Sequence, residues 1–545
     1  MSSQTSTSSG RNPKAPGPSE PGIPGAPDGP APRRGVRGHP WLTLVTVAIG
    51  ITMVALDGTI VAIANPAIQK DLGASLADVQ WITNGYLLAL AVALITAGKL
   101  GDRFGHRQTF LVGVVGFAGA SGAIGLGGSV SLVVTFRVLQ GLFGALLMPA
   151  ALGLLRASFP AQKLNAAIGV WGAVIGASTA AGPIVGGLLV EKVNWESVFF
   201  INIPVGLAAL LLGLVILRDH RAEKAPRSFD VPGIVLLSGA MFCLVWALIK
   251  APSWGWADSA TLAFLGGSLV AFLVFGLWES RAKEPLVPLS MFRSVPLTAG
   301  TVLMVLMAFG FMGGLFFVTF YLQNVHGMSP VDSGIRLLPL TAMMIVSSPV
   351  AGLLISKVGP RGPLVAAMIV TAVAMFGLST LDADSDAVVT SVWFALLGLG
   401  LAPVMVGATD VIVGNAPLEH SGVAGGLQQA AMQVGGSLGT AVLGVVMATR
   451  VDSALPDKWA EAKLPPLPPG QEDKLKSAAE VGVAPPAPPG TPAQLADAMK
   501  EVVHDSFISG MGLAFMCAGA VAVFASGVAF FTKRGQSASG PSVHV

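Results

Sequence analysis

The sequence predicts an all-α integral membrane protein of 14 transmembrane helices, arranged as two six-helix lobes plus two inserted spans. Three observations lead there. The chain has 545 residues, 53% of them apolar and only 11% charged, a composition that belongs to membrane proteins rather than to soluble domains. Apolar runs long enough to cross a ~30 Å hydrocarbon core as helices of about 20 residues follow one another with short polar breaks. Finally, the charged stretch GKLGDRFGHR at 98–107 has an echo, GLLISKVGPR, at 352–361. Gly98, Leu100, Arg103, Gly105 and Arg107 align without gaps with Gly352, Leu354, Lys357, Gly359 and Arg361, and Asp102 is replaced by Ser356. Such a repeat is what a two-lobed transporter leaves in its sequence, with the substrate site between the lobes.

Taken in order, residues 1–40 are rich in Ser, Gly and Pro and are expected to form a disordered cytoplasmic tail. The apolar runs then fall near 41–63, 79–98, 108–128, 131–155, 165–190 and 197–217, which make an N-lobe over 41–217. Runs near 231–250 and 260–278 form the inserted pair within 218–295. Runs near 296–322, 332–356, 363–381, 387–413, 421–448 and 506–531 complete a C-lobe over 296–531, before a short cytoplasmic tail, 532–545. The breaks that carry Arg103 and Arg107, Arg156 and Lys163, Arg218 to Arg227, Arg281 to Arg293, and Lys357 with Arg361 alternate with breaks nearly free of basic residues. The positive-inside rule therefore puts these breaks and both termini in the cytoplasm. The segment 450–505 is long and Pro-rich. A flexible extracellular loop is its expected form, although AQLADAMKEVVHDSF within it has the pattern of a short amphipathic helix. Cys243 and Cys517 lie inside apolar spans and are expected to be packed thiols rather than a disulfide or metal ligands.

The stretch 98–107 is expected to be a tight turn between the second and third spans. Asp102, Arg103, His106 and Arg107 cannot rest in hydrocarbon, and Gly98, Gly101 and Gly105 allow left-handed or close-packed backbone. Its pattern, G-x-L-x-D-R-x-G-x-R, resembles the signature loop of the major facilitator superfamily. Further stretches are similar to the fourteen-span drug:proton antiporter branch: LDGTIVAIANPAI at 56, WITNGYLLALAVAL at 81, FFINIPVG at 199, ESRAKEPLVPLSMF at 279, YLQNVHGMSPVDSG at 321 and GGLQQAAMQVGGSLG at 425. They cover nearly all of the chain between 41 and 448. The resemblance implies a major facilitator fold and alternating-access efflux.

Asp57 lies well inside the first apolar run. An acid there marks a functional site unless its carboxylate reaches back to water. Arg137, in RVLQGLFGALLMPA, falls at a similar depth in the fourth run, and it either pairs with Asp57 or extends to the surface. The resemblance assigns both residues to proton coupling. In the fifth run, Gly169, Gly172, Gly176 and Ala180 recur at helical spacing, followed by Gly182, Pro183, Gly186 and Gly187. Close helix packing is reason enough for these glycines, and Pro183 can bend the helix. The resemblance makes the stretch an antiporter motif and implies export. In the thirteenth run, Gln429, Gln433, Ser437 and Thr440 share a face, for substrate contact or for bonds between helices. Met432 stands where the family often has a basic residue. Asn84, Gln429, Met432 and Gln433 are the substrate-cavity candidates. Gly98, Asp102, Arg103, Gly105 and Arg107 form the gating loop, in which Asp102 faces the helix start near Ser421. Asp410 is expected at a solvated helix end, and Asp382 with its neighbours in a solvated loop.

The function implied is proton-coupled export of amphipathic drugs or antibiotics, with a dedicated exporter of one metabolite as the alternative. No GxxxxGK[ST] loop is present to support an ATP-driven pump, and no nucleophile triad or metal-ligand cluster points to an enzyme. The expected partners are a small-molecule substrate, protons and the lipid bilayer, with no nucleic acid, no metal and no cofactor beyond the proton gradient. The expected place is a bacterial plasma membrane, where the chain is multi-pass and works as a monomer.

Overall fold

A computed structural model describes residues 36–533 apart from 75, 219–229, 418–419, 466–471 and 485–491. The tails expected at either end lie almost wholly outside the described residues. Among the described residues, fourteen helices are long and apolar enough to cross a membrane. Six form the first lobe: Pro40–Val61, Trp81–Phe104, His106–Gly125, Val130–Ser158, Ala166–Lys192 and Ser197–Ile216. Val231–Ala251 and Ser259–Glu279 are the inserted seventh and eighth spans. Val295–Val325, Leu338–Val358, Arg361–Leu378, Ala387–Asn415, Ser421–Glu461 and Ala493–Ala529 form the second lobe.

The apolar residues divide into those that pack protein and those that face outward. Buried Phe110, Phe117, Leu147 and Leu152 centre the first lobe, and Phe317, Met375, Phe394 and Phe515 centre the second. On the eighth span Leu262, Leu269, Leu273 and Leu277 are exposed, as they must be for a helix solvated by lipid chains rather than by water. The inserted pair lies along the seam between the lobes. Leu237, Met241 and Val245 of the seventh span share a cluster with Leu88, Ala91 and Ile95 of the second span and with Val423 and Ala430 of the thirteenth. The loop that follows the eighth span fastens the pair there. Buried Glu279 accepts the N–H groups of Leu286 (3.2 Å) and Val287 (3.4 Å), and Lys99 Nζ donates to Pro285 O at 2.7 Å.

Two expectations about local structure are corrected. The charged stretch 98–107 is not a ten-residue turn: the second helix runs through Phe104 and the third begins at His106. Gly105 alone makes the reversal, at φ +97°, a conformation that a side chain would strain. Gly359 does the same at φ +84° in the second copy. Nor is 450–505 a flexible loop in its described part. The thirteenth helix continues to Glu461, a short helix spans Glu472–Ala479, and the last helix already begins at Ala493. Prolines hid an apolar stripe there: Leu455, Trp459, Leu475, Ala479, Val502 and Val503 are all buried in the second lobe's core. Arg450 Nε donates to Ser509 Oγ at 2.9 Å, and Lys458 pairs with Asp505 at 3.2 Å, tying the two extended helices together. Cys243 and Cys517 are both free thiols.

Candidate functional site

The structure brings Asp57 and Arg137 together in the interior of the first lobe. Both are fully buried, and Arg137 Nη1 lies 2.6 Å from Asp57 Oδ2. The alternative in which Arg137 reaches the surface is therefore excluded. The pair sits in a wider network that motif reading passes over. Gln140, one turn after Arg137 and on the same helix face, accepts from Arg137 Nη1 at 2.5 Å and donates to Asp57 Oδ1 at 3.0 Å. It also donates to Ser121 Oγ of the third span at 2.7 Å. Asn202, at the start of the main helix of the sixth span, donates to Ser121 Oγ at 3.2 Å and approaches Asp57 Oδ1 at 3.5 Å. Arg137 Nε donates to Ile82 O of the second span at 3.0 Å, and its guanidinium carbon lies 4.1 Å from the centre of the Tyr86 ring.

Among the described residues, each group that meets the Asp57 carboxylate is an N–H donor. An ionised acid accepts from all of them, whereas a protonated one would bring a hydrogen where Arg137 or Gln140 already points one. The arrangement offers N–H donors to both oxygens of Asp57 and sets one cation beside it. Gln140, Ser121, Asn202 and Tyr86 were not singled out from the sequence. The available signal was a polar side chain within an apolar span, and for Gln140 its place three residues after Arg137.

The glycine-rich stretch of the fifth span divides its work between two partners. On one stretch of the fifth span the glycines face the second lobe. A Cβ on Gly169 would lie 2.7 Å from Ser348 O, whereas one on Gly172 would meet Val406 at 3.6 Å and one on Gly176 would meet Met344 at 3.9 Å. Further along, Gly182 and Gly186 receive the turn of the first span just after Asp57. A Cβ on Gly182 would overlap Thr59 Oγ1, and one on Gly186 would lie 2.8 Å from Ile60 Cγ1. Thr59 Oγ1 donates to Thr179 O at 3.0 Å across the same contact. Gly187 faces Val331, and Pro183 lies within an unbroken helix, Ala161–Lys192. The two groups should respond differently to alanine. Gly172→Ala and Gly176→Ala are expected to keep wild-type export and melting temperature, while Gly182→Ala loses about 1–3 kcal/mol of stability to overpacking. Thermal unfolding in detergent, followed by fluorescence, checks this.

Asp102 is a latch between the lobes. Its Oδ1 accepts from Gly422 N at 2.8 Å and its Oδ2 from Val423 N at 3.1 Å, at the start of the helix Ser421–Glu461, where unpaired N–H groups and the helix dipole favour an anion. His106 Nε2 lies 3.3 Å from Ser421 Oγ. Gly98 makes the approach possible, because a Cβ there would overlap Gly422 O. Arg103 stacks over Phe104, and Arg107 Nη2 donates to Leu214 O at 3.2 Å. In the second copy Ser356 bonds to Leu353 O within its own helix. A second tie between lobes, unforeseen from sequence, runs from Arg156 Nη2 to Ala416 O at 2.7 Å. Asp410 is buried at this end, which corrects its expected place at a solvated helix end.

Among the substrate-cavity candidates, Gln429 is buried and its Oε1 has no hydrogen-bond partner among the described residues. Gln428 beside it is in the same condition, with its Nε2 3.8 Å from Met304 Sδ. Met432 packs on the second lobe's core. Asn84 and Gln433 are half-buried on the second and thirteenth spans.

Two six-helix lobes, a buried ion pair in one of them and a carboxylate latch between them define a secondary transporter of the alternating-access class. The Major Facilitator Superfamily model matches residues 47–440, and the chain belongs to that family. It is 71% identical to the tetracenomycin C resistance and export protein of Streptomyces glaucescens, over 93% of this chain and 94% of that one. It is 34% identical to the multidrug resistance protein Stp of Mycobacterium tuberculosis, over 76% and 77% of the two chains. The fold matches the crystal structure of a human organic anion transporter, with a TM-score of 0.60 at 11% identity, over 90% of this chain and 99% of that one.

Proposed function

We propose that this protein exports antibiotic-class small molecules across a bacterial plasma membrane in exchange for protons, and that Asp57 carries the proton. One observation carries the proton assignment: a buried carboxylate in a membrane lobe, met among the described residues by N–H donors and paired with Arg137. Protonation of Asp57 cancels the attraction that binds Arg137 to it, and loss of the proton restores it. A pair that forms and breaks with one proton gives the lobe two arrangements, which is what coupling to alternating access requires. The latch end is assigned to the cytoplasm, because Arg103, Arg107, Arg156 and Lys357 all gather at that end. Both termini then lie inside, and the structure is closed toward the cytoplasm. The proton gradient supplies the work with no bound cofactor, and a single chain is the functional unit. A potential of ~100 mV is worth about 2.3 kcal/mol per charge moved. With one proton-carrying acid, neutral and monovalent substrates are the ones most readily driven.

Identity of 71% along nearly the whole length to a tetracenomycin C export protein favours a dedicated exporter within this reading, and makes tetracenomycin C the first substrate to test. Protein reconstituted in sealed vesicles that hold a pH gradient should release protons on addition of tetracenomycin C, read with a quenched pH dye. Response to this compound alone identifies a specialist, and response to structurally unrelated lipophilic cations as well identifies a multidrug exporter. Transport of tetracenomycin C without proton movement would overturn the coupling.

A further inference from the structure

We infer that Tyr86 and Phe199 form an aromatic clamp that keeps the Arg137 cation in place when Asp57 is protonated, and so set the pH at which the carrier loads its proton. This rests on the proton-coupling reading above. When Asp57 becomes neutral, Arg137 is left as an uncompensated charge in a fully buried site, a state that is costly unless other groups receive it. The structure already supplies them. Ile82 O accepts from Arg137 Nε at 3.0 Å and Gln140 Oε1 accepts from Nη1 at 2.5 Å. The rings of Tyr86 and Phe199 lie 4.1 Å and 5.9 Å from the guanidinium carbon. All four are neutral, so none depends on the charge of Asp57, and a ring face attracts a desolvated cation more strongly than a hydrated one.

The rings are fixed from behind. Phe117 meets Tyr86 edge-on at 6.5 Å, and Trp195 meets Phe199 edge-on at 6.1 Å. A Cβ on Gly141 would overlap Tyr86 O, so the second and fourth spans touch backbone to backbone one turn from Arg137. The Tyr86 hydroxyl is buried and makes no hydrogen bond among the described residues, so the face of the ring, not its oxygen, is what the site uses. Asp57 on the first span and Arg137 on the fourth are the charged groups here. The second span adds the Tyr86 phenol, and the third and sixth add the neutral Ser121 and Asn202. The clamp also gives the stretches WITNGY and FFINIPVG a task, since they supply Ile82, Tyr86, Phe199 and Asn202.

The test is an infrared titration of purified protein in detergent, following the carboxylic acid C=O band that Asp57→Asn removes. Removing the ring face destabilises the proton-loaded state more than the ion-paired state, in which Asp57 still holds Arg137. Protonation then needs a lower pH. Tyr86→Leu is expected to lower the midpoint by about one pH unit. Replacing Tyr86 with pentafluorophenylalanine keeps the shape and reverses the charge on the face, and should shift the midpoint in the same direction if the leucine variant does not fold. Tyr86→Phe should keep the wild-type midpoint. Equal midpoints in all of these proteins would overturn the clamp and leave the proton assignment standing. A titration with no band that Asp57→Asn removes would overturn the proton assignment itself.

Discussion

Asp57→Asn is expected to abolish substrate-driven proton release while leaving downhill leakage of substrate. The asparagine is nearly the size of the acid and still offers Oδ1 to Gln140 Nε2, now 3.0 Å from that atom in the wild type, but it has no proton to exchange. Breaking a buried pair by removing one charge costs about 3–5 kcal/mol. Here the cost is expected at the lower end of that range, because Ile82 O, Gln140 and the Tyr86 ring still receive Arg137. The double variant Asp57→Asn with Arg137→Gln separates stability from coupling. Neutralising both partners removes the uncompensated cation, so the melting temperature should return toward wild type, while proton release stays absent. The two readings are thermal unfolding in detergent and dye-detected proton release in vesicles. A single Asp57→Asn variant that still releases protons when substrate is added would place the coupled proton elsewhere.

Gly98→Val is expected to hold the lobes apart on the latch side and to stop export. Gly98 and Gly422 face one another where the second and thirteenth spans cross. A Cβ on Gly98 would overlap Gly422 O, and one on Gly422 would lie 2.8 Å from Asp102 Oδ1. The atom that a Cβ on Gly98 meets is backbone, which cannot turn away as a flexible side chain can. Overpacking of this kind costs on the order of 2 kcal/mol, which is about a thirtyfold change in the ratio of closed to open forms. The bonds from Gly422 N and Val423 N to Asp102 would be lost with the contact. Ser421 is 6% exposed in the closed arrangement, so a cysteine placed there reports the change. In a background with Cys243 and Cys517 replaced, Ser421→Cys should be labelled slowly by a membrane-impermeant thiol reagent from the cytoplasmic side, and quickly once Gly98→Val is added. Unchanged labelling would mean that the latch does not close this end.

The sequence by itself determined the class, the number of spans and the identity of the two principal charged residues. Hydrophobic length is a local property, and a helix in lipid satisfies its own backbone bonds, so each span could be read without its neighbours. Asp57, Asp102 and Arg137 stood out for the same reason, since an ionised group in or beside an apolar run is conspicuous wherever it later packs. Helix spacing also showed that the glycines of the fifth span share a face. It did not show that Gly182 and Gly186 receive Thr59 and Ile60 while Gly169 faces Ser348 in the other lobe. The division between a packing surface beside Asp57 and a surface between lobes depends on which helix lies opposite, and that is a tertiary fact.

The same holds for Gln140, Ser121, Asn202 and Tyr86, which come from four different spans and acquire their roles only by converging on one ion pair. Asp102 could be matched to the helix start near Ser421 by charge, but the backbone contact of Gly98 with Gly422 that permits the bond was set by the approach of two lobes. The extensions of the last two spans were misread because proline content is counted along the chain, whereas the burial of Trp459 and Val503 is decided across it. Span count and charge placement follow from transfer between water and lipid, one residue at a time. Pairing, close approach and exposure follow from which surfaces meet, and only the packed helices decide that.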